Sequence, residues 1–287
     1  MTRLLLCLLR GTAVLPLPVV RALGVLLGWT LYALVGQRRR VVLINLRLCF
    51  PQWSEQQLRS CAQQCFVCFA QAMLDRGWLW HGSPALLAKR LRLTGAVGEL
   101  QGSQPTVIFA PHFVGLDAGW TALTAQLPRS FTTIYTDQAN KTADAWILQG
   151  RKRFAANGLF GRVDGTKGVV AALKAGAPLY LLPDMNFGPH ESLFVPFYGV
   201  PAATVPSLSR FARLGRAKVV PVLCRMTAGG YDIQVLPAWS HFPTADASAD
   251  TLRMNLELQA YIDTMPTQYY WVHKRFKDRP AGELPPY

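Results

Sequence analysis

Two periods run through the apolar positions of this chain: short β-branched runs, and longer stretches with helical spacing. Thr106 to Ala110, reading T-V-I-F-A, is a run of the kind that forms a buried strand. Pro111 ends the pairing because it has no N–H to donate. Apolar residues then recur at helical spacing through Leu123, so the segment reads strand, turn, helix. Leu91 to Gly98, Ser130 to Tyr135, Leu179 to Leu182, Lys218 to Cys224 and Tyr231 to Leu236 read as further strands. Helices are predicted from Ser54 towards Trp80, over Ala143 to Ala156, from Thr204 through Leu214, and over Asp250 to Met265. The first opens with a capping box, Ser54 and Gln57. Phe194 to Ala203, rich in aromatic residues and proline, reads as a loop lining an apolar pocket. Strands alternating with helices predict an α/β domain with a mainly parallel central sheet flanked by helices.

The amino-terminal residues obey a different pattern. Leu4 to Leu9, Ala13 to Val20 and Ala22 to Val35 are apolar, broken by Arg10, Arg21, Pro16 and Pro18. None reaches the roughly 20 clean residues of a simple span. A kinked span or a re-entrant anchor over residues 1–36 is expected, with residues 37–287 forming the folded domain. The apolar character outlasts a signal peptide, so the anchor is expected to stay uncleaved. Arg38, Arg39 and Arg40 follow it and, by the positive-inside rule, put the remaining chain in the cytoplasm.

Composition points the same way. The chain is 51% hydrophobic and 16% charged, against roughly 25% charged in ordinary soluble domains. Its net charge of +14 calls for a polyanionic partner. No zinc-finger spacing, aromatic–glycine RNA motif or recognition helix is present, so that partner reads as lipid rather than nucleic acid. Cys61, Cys65 and Cys68 share one helical face and read as packed thiols. No disulfide framework appears, which implies a reducing compartment.

Candidate chemistry gathers after the Thr106 strand. His112 follows Pro111, and Asp117 lies five residues further on. An imidazole can take a proton from a hydroxyl, and a carboxylate on its other nitrogen fixes the tautomer. There is no G-x-S-x-G nucleophile elbow, so the substrate is expected to supply the hydroxyl. Arg151, Lys152 and Arg153 end a predicted helix, where they could equally be a solvated face favoured by the helix dipole. Gly161 to Gly168 lacks the spacing of a phosphate loop, and no nucleotide or metal is called for. Leu179 to Leu182 ends at Pro183 and Asp184, a second carboxylate at a strand's end.

The run H-F-V-G-L-D from His112 to Asp117 resembles the H-x4-[D/E] acyltransferases of glycerolipid synthesis. More closely, the chain is similar to the late (secondary) lipid A acyltransferases of Gram-negative bacteria, the lauroyl/myristoyl transferase group. N-L-R-L-C-F-P from Asn45, G-R-K-R from Gly150, R-V-D-G-T-K from Arg162, F-V-P-F-Y-G from Phe194 and the tail from Pro266 to Pro280 carry that likeness. It implies an inner-membrane enzyme with a cytoplasmic active site. The enzyme would move an acyl chain from acyl carrier protein to a hydroxyl of a lipid A precursor, without a cofactor. On the family pattern His112 is the general base, Asp117 its orienter, and Arg151 or Arg153 the oxyanion donor. Arg162 would support phosphate or oxyanion. Asp184 is a retained acidic position, and Arg275 and Lys277 fit a structural or head-group role beside His273. Two rival readings remain: acylation of another lipid (a lysophospholipid, an ornithine lipid or a polyene lipid), and anionic-lipid binding without chemistry.

Overall fold

Short buried strands pairing in parallel set the frame. In the computed structural model, which describes residues 2–154, 158–161 and 165–287, a helical layer comes first: α1 (Thr2–Gly11), α2 (Leu17–Leu34), α3 (Gly36–Cys49), α4 (Glu55–His81) and α5 (Pro84–Arg90). The alternating part follows as β1 (Leu91–Gly95), β2 (Thr106–Phe109), α6 (Leu116–Gln126), β3 (Thr132–Tyr135), α7 (Lys141–Arg151), β4 (Leu159–Gly161), α8 (Thr166–Lys174) and β5 (Leu179–Leu181). A hairpin of β6 (Leu193–Phe197) and β7 (Val200–Thr204) leads to α9 (Ser207–Gly215), β8 (Lys218–Thr227), β9 (Gly230–Val235) and α10 (Ala247–Asp263).

The main sheet runs β1-β9-β8-β2-β5-β3-β4. All neighbours are parallel except β8 and β9. β2 lies at its centre and every one of its residues is buried, as expected of a strand covered on both faces. The fold class is thus the α/β arrangement that the sequence pattern predicts. Two local expectations change. Phe194 to Ala203 is no pocket loop but a two-stranded antiparallel hairpin. It packs on α10, where Asn255 Nδ2 donates to the Pro196 carbonyl at 3.0 Å. Thr204, expected to cap a helix, closes β7 instead, and α9 starts after Pro206.

Residues 1–36 do not stand apart from the domain. α2 buries Leu17, Val20, Gly24 and Gly28 against α4. A Cβ on Gly28 would lie 2.5 Å from the Val67 Cα, and one on Gly24 2.9 Å from the Gln71 Cα, so the glycines set how closely the helices approach. Arg21 meets the buried Asp75 of α4 at 2.7 Å. Asp75 also accepts from Trp78 Nε1 at 2.8 Å and from the Tyr231 hydroxyl at 2.6 Å. Arg21, Asp75 and Tyr231 thereby join α2, α4 and β9. The capping box of Ser54 and Gln57 forms as predicted. Cys61 and Cys65 are buried free thiols and Cys68 is half-buried.

The motif from Asn45 and the tail motif turn out to be partners. Asn45 Nδ2 donates to the carbonyls of Trp271 at 2.7 Å and His273 at 2.8 Å. The tail then passes behind the end of β2: Val114 N–H donates to Gln268 O at 2.8 Å, and Tyr270 N–H to His112 O at 3.0 Å.

Candidate active site

Strand register builds this site. β2 and β5 pair in parallel with Phe109 opposite Leu181. Each strand runs into a proline two residues later, Pro111 and Pro183, and each proline is followed by a titratable residue. Equal offsets from a matched pair reach equal height, so His112 arrives beside Asp184. Their contact is short: His112 Nδ1 lies 2.7 Å from Asp184 Oδ1, and the His112 backbone N–H donates to Oδ2 at 3.0 Å. Asp184 is completely buried. Burial works to raise its pKa, but the charge and hydrogen bonds of His112 outweigh that and hold it below the usual carboxylate range. An ionised Asp184 accepts the proton on Nδ1, which leaves Nε2 as the basic nitrogen. Nε2 has no hydrogen-bond partner among the described residues, and His112 lines a large cavity.

Asp117 does other work, and the expected His112–Asp117 pairing is corrected here. It sits in the first turn of α6, where its carboxylate meets α4 and α7. Arg76 donates through Nε at 2.9 Å and Nη2 at 2.8 Å to Asp117 Oδ2. Arg151 donates through Nε at 2.9 Å and Nη2 at 2.8 Å to Oδ1. Burial again pushes this carboxyl up, and the two guanidinium groups more than reverse it. Both arginines face the cavity. Two fixed cations around one buried anion leave a net positive charge on that wall. Gly115, just before α6, lets the turn close onto β8: a Cβ there would be 2.5 Å from the Cys224 carbonyl oxygen.

The remaining expected site residues part company. Arg153 turns away from the cavity and donates to the carbonyls of Leu79 and Gly82, because it lies beyond the last turn of α7 and reaches back to α4. It is corrected from oxyanion donor to a clip on the end of α4. Arg275 is buried and donates to Ala203 O at 2.7 Å and Thr204 Oγ1 at 2.6 Å. It holds β7 and does not reach the cavity, so of its expected structural or head-group role the substrate-binding half is corrected and the structural half stands. Lys277 is half-exposed near Asp278 at 3.8 Å, again away from the cavity. Arg162 lies outside the described residues. His273, pushed down to about 4 by burial and then by Arg275 and His112, accepts from the Asn186 N–H at 2.9 Å and fixes the loop after Asp184.

Arg76 has no counterpart among the sequence-derived candidates. Its only sequence signal is a charged pair, Asp75–Arg76, inside an otherwise apolar helix end. The cavity these groups share is about 1020 Å³. Apolar side chains from α4, β3, α8 and α9, among them Phe69, Ile134, Val169 and Phe211, make much of its wall. Tyr135 donates to Asp144 at 2.6 Å and is pushed up to about 12 by burial first and Asp144 second. Arg151 lies over its ring, 5.4 Å from the centroid. The site thus offers a base, a positive wall, and apolar volume sized for a chain-like group.

Comparison with known proteins supplies the family. The chain is 31% identical over 93% of its length to the lipid A biosynthesis lauroyltransferase of Escherichia coli, covering 88% of that protein. It is 32% identical to the lipid A biosynthesis myristoyltransferase of the same organism, over 87% of this chain and 78% of the relative. A 1-acyl-sn-glycerophosphate acyltransferase from Thermotoga maritima matches at TM-score 0.41 and 11% identity, over 85% of this chain and 97% of that one. The model of the bacterial lipid A biosynthesis acyltransferases matches residues 1–278, and the chain belongs to that family.

Proposed function

We propose that this chain transfers a fatty acyl group from the thioester of acyl carrier protein to a hydroxyl of a lipid A precursor, at a membrane surface. Family membership supports acyl transfer and the class of acceptor. One observation carries the mechanism: His112 has Asp184 on one ring nitrogen and the cavity on the other.

Nε2 of His112 removes the proton of the acceptor hydroxyl as its oxygen bonds to the thioester carbonyl carbon. Asp184 fixes the tautomer and stabilises the imidazolium. The carbonyl oxygen becomes an oxyanion, which needs a donor already in place. Arg151 suits this best. Its Nε and Nη2 are tied to Asp117, so the guanidinium is held still and Nη1 stays unbonded among the described residues. Collapse of the intermediate breaks the carbon–sulfur bond, and imidazolium returns the proton to the departing thiolate. An ester and a thiol result. The acidic carrier and the phosphorylated acceptor both match a chain of net charge +14.

His112→Ala tests the reading. Purified variant and wild type are given acyl carrier protein loaded with a fatty acid and the lipid A precursor, and product is read by mass spectrometry. The expected loss is about 1000-fold or more. Near wild-type turnover in a folded variant overturns it.

A further inference from the structure

Helix α2 is long and apolar enough to cross a bilayer, but its packing argues for a different placement. Three levels of contact tie it lengthwise to α4: Arg21 to Asp75 at 2.7 Å, Gly28 against Val67, and the rings of Tyr32 and Phe66 at 5.6 Å. The opposite side of α4 carries Met73 and Arg76 into the catalytic cavity. An upright α2 would carry Asp75, Arg76 and the cavity into hydrocarbon, where buried charge is costly. Lying along the surface, it shows the bilayer a face without charge. Val19, Leu23, Leu26, Leu27, Trp29 and Leu34 are all exposed there.

A small pocket of about 360 Å³ opens beside the carboxyl end of α2, between α3 and α4, lined by Tyr32, Arg39, Leu43, Arg47 and Arg59. Its lining differs entirely from that of the catalytic cavity. Arg39 donates to Tyr32 O at 2.8 Å and lies over the Tyr32 ring at 5.3 Å. Arg47 forms a two-bond contact with Glu55, both bonds at 2.8 Å, and Arg59 reaches the same carboxylate at 3.9 Å. Two of the three guanidinium groups share a single acid and Arg39 reaches none, which leaves two positive charges without an anion among the described residues. Arg38 and Arg40, both exposed, sit either side of Arg39 on the pocket's helix, and α3 has no acidic residue. Guanidinium forks suit phosphate oxygens, and Leu43 and Tyr32 give the pocket an apolar wall.

We propose that this pocket binds the phosphate of an anionic glycerophospholipid in the bilayer that the exposed face of α2 meets. The site docks the enzyme on the membrane and stands apart from the catalytic cavity. The proposal rests on the membrane-surface reading above.

Flotation of the full chain with vesicles tests it, using phosphatidylcholine alone and phosphatidylcholine containing phosphatidylglycerol. Wild type should prefer the phosphatidylglycerol vesicles, and salt should weaken that preference. Each arginine near an anionic surface is worth about fivefold in affinity. Arg47→Gln with Arg59→Gln should therefore cost about 25-fold on phosphatidylglycerol vesicles and little on phosphatidylcholine. Acyl transfer in detergent micelles should be unchanged, which shows the variant folded. Lys89→Gln with Lys174→Gln removes two exposed charges elsewhere and should keep the preference. An equal loss in that control, or none in the arginine variant, overturns the pocket alone. Equally strong calorimetric binding of inorganic phosphate would make it a free-phosphate site and also overturn it. Wild type that floats with neither vesicle sinks the membrane reading and the proposal together.

Discussion

Two buried carboxylates stand at the cavity, and they differ in what they hold. Asp184, after β5, grips a histidine through its ring and its backbone. Asp117, in the first turn of α6, grips two arginines. Both are nearly or fully buried, and both are held below the usual carboxylate range by their partners. A histidine ring can take up a proton on one nitrogen while the other stays bound, so the Asp184 pair can pass a proton in each turnover. Arginines keep their charge, so the Asp117 group is a fixed field. On the proposed mechanism, identical side chains under similar burial thus support opposite ends of one reaction: Asp184 orients the base that moves the proton, and Asp117 holds the arginine that meets the charge on oxygen.

That division can be broken one side at a time. Asp184→Asn removes the acceptor that selects the tautomer and should lower turnover by about 1000-fold, within the range of general-base catalysis. Steady-state kinetics giving a loss for Asp117→Asn as large as for Asp184→Asn would erase the distinction. Arg151→Ala should cost about 100-fold in turnover, with lysine a partial rescue because it lacks the planar fork. A purely salt-sensitive rise in KM for the carrier protein would instead make Arg151 a docking charge. Asp117→Asn should cost less turnover, about 10-fold, but also about 3 kcal/mol of stability, since two cations lose their buried anion. Chemical denaturation reads that cost.

The smallest effect concerns His273. Its folded pKa of about 4 lies below the value near 6.5 of an unfolded chain. The unfolded state therefore binds more protons between those values, and stability should fall as pH drops through that window. His273→Gln keeps an acceptor for the Asn186 N–H and should flatten this limb in melts run across pH. An unflattened limb assigns the acid sensitivity elsewhere.

Much of this was legible in the chain, and the misreadings share a cause. All six predicted strands form, because short apolar runs between turn residues have few alternatives in an α/β sheet. His112 was legible from its strand, proline and helix. Its partner was not: proximity in sequence favoured Asp117, whereas strand register favours Asp184. The repeated pattern of strand, proline and titratable residue at 111–112 and 183–184 carried that information. Using it required knowing that β2 and β5 are neighbours, which a single sequence does not reveal. Arg76 was hidden for a related reason, since it comes from another helix and lies 41 residues before its partner Asp117. Arg151 and Arg153 looked equivalent as a run, and only the end of α7 separates them: one is on its last turn, the other past it.

The central claim is that Asp184 sets the tautomer of the catalytic histidine. Nitrogen-15 chemical shifts of the histidine rings in detergent-solubilised protein test it directly. The chain has five histidines, and comparison with His112→Gln assigns the signal. In the wild type His112 should carry its proton on Nδ1, with Nε2 unprotonated. Asp117→Asn should leave that pattern intact, while Asp184→Asn should shift it to a mixture of tautomers. A His112 ring that keeps its Nδ1 proton in Asp184→Asn and loses it in Asp117→Asn would contradict the account.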